Sequence, residues 1–183
     1  AASLALMGKI YESYDPIYAQ TCIQTAQSIY ALGQTRLGVT PDSFYPDQTW
    51  QDSMLCGAIE LYRATGNEIY LEDAIAYDEA IGIHYWVSGW DNNTDPCRHS
   101  LWIAGHRATE HYWREDVNRY LTKVSDQTYI NGLAWFLDWG SNRWALNASF
   151  SASLYYQVTG EEQYRDFAIS QMDYVLGQNE YQR

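Results

Sequence analysis

The sequence predicts an all-α protein assembled from antiparallel helical hairpins, and three observations lead there. LYRATGNEIYLEDA at 61–74 and YYQVTGEEQYRDFA at 155–168 match at Thr65/Thr159, Gly66/Gly160, Glu68/Glu162, Tyr70/Tyr164 and Ala74/Ala168. A weaker relative, IYESYDPIY at 10–18, is one residue shorter and puts Tyr18 where Tyr70 and Tyr164 stand, so three helix pairs share one packing scheme. Elsewhere apolar residues recur at helical spacing, and no segment reads convincingly as a strand. Repeated helix–turn–helix units of this kind build toroids or solenoids.

The elements follow in order. Leu4, Met7 and Tyr11 line a first helix, and after Asp15-Pro16 a second runs through Tyr18, Cys22, Ala26 and Ile29 to a stop at Gly33. Residues 34–49, rich in Gly, Pro, Thr and Asp, read as a loop, followed by helices over 50–64 and 68–81 joined at Thr65-Gly66. Each Thr-Gly turn reads either as a capping box, Thr65…Glu68 and Thr159…Glu162, or with the glycine as the left-handed residue closing the preceding helix. Residues 82–97, GIHYWVSGWDNNTDPC, break the helical period and gather aromatics, Asp and Asn as functional loops do. Helices resume over 98–107 and 110–124, an irregular stretch spans 125–142, and a last hairpin starts near 143. Its final helix, 162–176, has a predicted buried stripe of Tyr164, Phe167, Ala168, Met172 and Val175 and ends at Gly177.

Composition narrows the function. At 183 residues and 46% hydrophobic the chain suits one compact domain, and a net charge of −12 with 11 Lys and Arg lacks the basic face that nucleic acid or an anionic membrane would need. No apolar run reaches the roughly 18 residues of a membrane span. Cys22, Cys56 and Cys97 are widely separated, with no metal-ligand spacing, and indicate neither zinc nor a disulfide framework. The opening AASLALMGKIY, without initiator Met or visible N-cap, gives the expectation of a piece of a longer chain. Aromatics reach 16%, with eight Trp, and serve either helix packing or the stacking of flat ligand faces.

Longer motifs carry a resemblance. WGSNRWALNASFSASLYYQVTG and EEQYRDFAISQMDYVLGQNEY, with Trp139, Gly140, Ser141, Arg143, Asn147, Ala148, Phe150, Tyr164, Arg165, Phe167, Ala168, Gln171, Asp173, Tyr174, Leu176, Gly177 and Asn179 at the matching places, resemble the catalytic domain of glycoside hydrolase family 9, the cellulases. WQDSMLCGAIELYRATGNEIYLEDA and HYWVSGWDN are similar to an earlier helix pair and a Trp-bearing loop of that family, so the resemblance covers essentially the whole chain. It implies an (α/α)6 toroid of which residues 1–183 supply about four of the six hairpins as a single partial domain, and a secreted, extracellular enzyme acting on cellulose or cello-oligosaccharides by inversion.

Inverting hydrolysis uses a carboxylate that activates water and a carboxylic acid that protonates the leaving oxygen, about 6.5–9.5 Å apart. The resemblance implies that neither lies here. The family's base sits in an Asp-Ala-Gly-Asp motif absent from this sequence, and its acid is a Glu past the helix that ends this chain. The chain is therefore expected to be inactive alone and to depend on the missing parts of its own domain. By resemblance it contributes the glucan cleft, with Trp50, Trp86, Trp90, Trp139 and Tyr45 as stacking platforms and Arg143 as a polar contact or a strut under the Trp139 turn. No cofactor is required, but the family's structural calcium maps its side-chain ligands onto Asp52 and Asp91, with Ser53 where a Glu is expected.

Packing is the competing role for each Trp, most of all for Trp102, Trp113 and Trp144 on helices; helix-dipole stabilisation and a turn are the competing roles for Asp52 and Asp91. Two alternatives stay open: a non-catalytic helical-repeat module binding glycan or protein, against which the unequal Tyr18, Tyr70 and Tyr164 offsets argue, and another toroidal sugar enzyme using carboxylates such as Asp91, Asp95 or Asp138.

Overall fold

The computed structural model describes residues 1–39 and 49–180. It is helical throughout: α1 Ala2–Tyr11, α2 Pro16–Gln34, α3 Gln51–Thr65, α4 Glu68–Ile81, α5 Thr94–Ile103, a 3-10 turn Arg107–Thr109, α6 Glu110–Leu121, α7 Ser141–Thr159 and α8 Glu162–Val175. Among the described residues the one strand-like feature is an isolated antiparallel bridge, Val124 to Ala134. Among the described residues no helix is long and apolar enough to cross a membrane. The chain packs as two units, Ala1–Gly82 with Asp91–Thr109, and Ile83–Trp90 with the residues from Glu110 onward.

The first unit holds the hairpins α1/α2 and α3/α4 and helix α5. Its core is Ala5, Ala26, Tyr30, Leu55, Ala58, Ile59, Leu61, Ala74 and Leu101, with α3 nearly encircled by neighbours. Small residues let α1 and α2 approach closely: a Cβ at Gly8 would stand 2.5 Å from the Ile23 side chain and 2.9 Å from the Ala19 carbonyl. Gly33 does not stop α2, which continues to Gln34. A Cβ there would lie 3.2 Å from Met54 Sδ, so the glycine serves helix contact.

Pro16 opens α2 behind Asp15, whose side chain accepts from Tyr18 N. Of the two readings of the Thr-Gly turns, the left-handed glycine is the one found. Gly66 (φ 68°) and Gly160 (φ 71°) close α3 and α7. Asn67, not Thr65, caps α4 by accepting from Ile69 N, while the Thr65 hydroxyl donates to Leu61 O. Tyr70 packs edge-to-face on Tyr30 of α2 at 5.6 Å and Tyr164 on Tyr155 of α7 at 4.7 Å; Tyr18 is 46% exposed, so the first hairpin follows the expected common packing scheme only in part.

Contrary to the sequence reading, Cys56 and Cys97 form a disulfide, leaving Cys22 as a buried thiol. The partners are 41 residues apart in sequence but 5.1 Å apart between Cα atoms, because α3 and α5 pack side by side. Helix α5 also begins at Thr94 rather than 98. The Asn92 side chain accepts from Thr94 N and starts it early.

The second unit joins α6, α7 and α8 around Trp113, Val117, Tyr120, Trp144, Ala148, Ala152, Tyr155, Tyr164 and Phe167. The α8 stripe corrects the expected one. Met172 is 45% exposed and Gln171 is wholly buried in its place. One turn beyond Phe167 and Ala168, the Gln171 amide accepts from Ala134 N at 2.6 Å and donates to Gly132 O at 3.0 Å, bracing the 125–134 segment on α8.

Candidate saccharide-binding surfaces and a carboxylate pair

In the second unit the Trp139–Gly140 turn precedes α7, with Gly140 at φ 70° starting the helix. Trp139 is 77% exposed. Its carbonyl accepts from Trp144 Nε1 at 3.2 Å, and the Arg143 guanidinium lies 5.4 Å from its ring centroid and 4.2 Å from that of Trp144. Arg143, in the first turn of α7, thus props the exposed ring by cation–π attraction against a buried one. Trp144 in turn meets Trp86 edge-to-face at 5.5 Å, and Trp86 meets Phe136 at 5.9 Å. The structure therefore links Trp86, Arg143 and Trp139 through Trp144, with Trp86 half-buried in packing and Trp139 presented to solvent. Trp90 is 47% exposed at the end of its loop.

The backbone bearing Trp86 is held chiefly by Asp116 and Tyr120, which the sequence reading did not single out. Asp116, fully buried on α6, accepts from His84 N at 3.0 Å and Tyr85 N at 2.7 Å through one oxygen, and its other oxygen lies 3.1 Å from His84 Nε2. Trp86 N donates to His84 Nδ1 at 3.2 Å. Tyr120 donates its hydroxyl to Trp86 O, and Asn147 Nδ2 donates to Ser88 O at 2.7 Å. Tyr85 is forced to φ 59°, a conformation costing a bulky residue about 1–2 kcal/mol. Asp116 offsets that cost. The hint was an Asp on the apolar side of α6, at i+3 from Trp113 and i−4 from Tyr120.

In the first unit Trp50 precedes α3 and meets Tyr77 edge-to-face at 5.9 Å, leaving its ring half-buried. Asp52, in the first turn of α3, is buried, and its Oδ2 accepts from Asn93 N at 3.0 Å. Burial pushes its carboxyl above the ordinary range; the Asn93, Ser53 and Asp52 backbone N–H groups oppose this, and the charge of nearby Asp91 adds to it. Asp52 Oδ1 is buried with no hydrogen-bond donor. Two adjacent carboxylates with one orphaned oxygen fit a hard cation; Ser53, in place of a third carboxylate, is exposed. Tyr45 lies outside the described residues.

The Asp78–Arg98 pair is structural. Arg98 Nε donates to Asp78 Oδ1 at 2.6 Å and its Nη2 donates to Gly82 O, closing the α4 C-terminus onto α5. Arg63 likewise donates to Glu60 at 2.8 Å and to Ser100 Oγ at 3.0 Å.

Helical hairpins without a strand among the described residues define the class as all-α, and the likeness to solved neighbours places it in the (α/α) toroid type. In that class the chain is similar to the cellulase Cel9M of C. cellulolyticum solved in complex with cellobiose, at 29% identity and a TM-score of 0.86 over 98% of this chain and 43% of that one. It is similar also to an endoglucanase from the termite Nasutitermes takasagoensis, at 26% identity and a TM-score of 0.82 over 96% of this chain and 42% of that one. The profile of glycosyl hydrolase family 9 matches residues 1–183, and the chain belongs to that family. Among curated relatives, an endoglucanase of Dictyostelium discoideum is 32% identical across all of this chain and 27% of its own length, and endoglucanase B of Cellulomonas fimi is 30% identical across 98% and 19%. The chain thus spans under a third of the length of these curated relatives.

Proposed function

We propose that this chain is the glucan-binding portion of a single family 9 catalytic domain that hydrolyses β-1,4-glucan with inversion, and that the water-activating Asp and the proton-donating Glu come from the parts of the domain its relatives possess and this chain does not span. The observation carrying this reading is Trp139, an exposed indole propped by Arg143 on a buried tryptophan at the start of α7. A solvent-facing aromatic plane held rigidly is poorly explained by packing and well suited to the apolar C–H face of a glucose ring. Trp86 and Trp90 are proposed as further platforms in the same unit, Trp50 and Tyr45 by the family resemblance alone, and Arg143 offers N–H groups to sugar hydroxyls.

Calcium is the cation proposed for Asp52 and Asp91, where it would neutralise a buried carboxylate next to the turn leading into α5. Secretion is proposed too, and the Cys56–Cys97 disulfide supports an oxidising compartment. The test is reducing-sugar release from carboxymethyl cellulose and cello-oligosaccharides by this chain, by the same chain extended at both ends with a relative's remaining hairpins, and by that extended protein with Trp139→Ala. Activity confined to the extended proteins, and lowered by the substitution, is the expected result. Hydrolysis by the 183-residue chain would assign the chemistry to its own carboxylates.

A further inference from the structure

Resting on that reading, we propose a second saccharide site in the second unit: the cavity between the Asn131-Gly132 turn and the end of α8, taking a neutral glucan end or disaccharide. The cavity is an open groove of about 430 Å³ and shares no residue with the Trp86–Trp139 array. Small-ligand sites start near 300 Å³.

The walls are built. Gln171 clamps the turn by its bonds to Gly132 O and Ala134 N, Ser170 Oγ donates to Phe167 O, and Asn179 Nδ2 donates to Tyr174 O at the helix end. Gly132 sits at φ 89° against the Tyr174 ring, where a Cβ would rest 3.7 Å from Cδ2. A larger residue would cover that part of the phenol, so the glycine leaves it bare.

The lining has the chemistry of a polyol partner. Asn131 and Gln178 offer amides that both donate and accept, Tyr174 a hydroxyl and a flat apolar face, and Glu180 an acceptor. Among the described residues none of these side chains makes a hydrogen bond within the protein, so their capacity is turned outward. Among the described residues no Lys or Arg lines the cavity and the chain carries a net charge of −12, which disfavours an anionic ligand.

Isothermal titration calorimetry with cellobiose and cellotetraose, in calcium-free buffer, distinguishes this site from the aromatic array. The expected result is that Trp139→Ala retains a saccharide-binding event, and that adding Gln178→Ala with Asn131→Ala weakens it at least tenfold with an unchanged circular dichroism spectrum. Tyr174→Ala should act in the same direction; the Gln178 and Asn131 variants, both on solvent-facing side chains, keep the test valid if it misfolds. Loss of all binding in Trp139→Ala would overturn the second site and leave the array reading intact. Indifference to the cavity variants, or an absence of binding by the parent chain, would overturn it too, and hydrolysis by the extended protein would still judge the array separately. Heat from calcium chloride alone, abolished by Glu180→Gln and unaccompanied by saccharide binding, would make this a cation site and refute the proposal.

Discussion

Reducing the Cys56–Cys97 bridge should cost this chain a large share of its stability. The disulfide closes a loop between residues 41 apart. In the chain-entropy relation, cross-linking at that separation removes unfolded-state freedom equivalent to roughly 4 kcal/mol. For a chain of this length each kcal/mol moves the midpoint by about 2–4 °C, giving a shift on the order of 8–16 °C. The assay is thermal and urea unfolding by circular dichroism with and without reductant, which leaves every sulfur in place and so avoids a cavity at two buried positions. Thiol titration of the denatured, unreduced protein should find one free group, Cys22. Three free thiols, or unfolding midpoints within about 2 °C of one another, would refute the reasoning.

Trp139→Ala should leave the melting temperature within about 2 °C of the parent, because the ring is 77% exposed, while weakening cellotetraose binding at the aromatic array about tenfold, read by fluorescence titration. Asp52 supplies a pH test: its carboxyl is raised by burial, so the stability it contributes is present below the ordinary carboxylate range and lost as pH rises through its raised folded value. Asp52→Asn should therefore be more stable than the parent by about 1 kcal/mol at pH 7 in EDTA, with the difference vanishing near pH 3 in urea melts. Calcium should stabilise the parent and not the variant. Asp78→Ala removes a carboxylate that accepts from the buried Arg98 guanidinium and should destabilise by about 3–5 kcal/mol, measured by urea unfolding; a loss under 1 kcal/mol would refute the structural weight given to the pair.

The hairpins were legible because their signal is local. A left-handed glycine, a repeated Tyr and apolar residues at helical spacing each act within one or two turns, and they located α3/α4 and α7/α8 closely. The disulfide was not legible, because Cys56 and Cys97 meet only through the side-by-side packing of α3 and α5. Asp116 escaped notice for a related reason: its partners are backbone N–H groups more than 30 residues away, in a loop without periodicity. Gln171 was misplaced because polarity argued against burial, whereas two backbone groups of the 125–134 segment supply it with the hydrogen bonds burial requires. Trp139 and Arg143 could be singled out only through resemblance, since neither exposure nor the stacking of one on the other leaves a trace in spacing.

Gln171 has a further consequence for motion. Its side chain, not a strand neighbour, holds the Ala134 amide, so that proton can exchange with solvent only when the loop parts from α8. In hydrogen-exchange experiments Ala134 should behave as a member of the α8 core and not of the irregular segment in which it lies. Segment and helix then open as one cooperative unit, and the mouth of the 131–132 cavity has the rigidity of the helix rather than that of a loop.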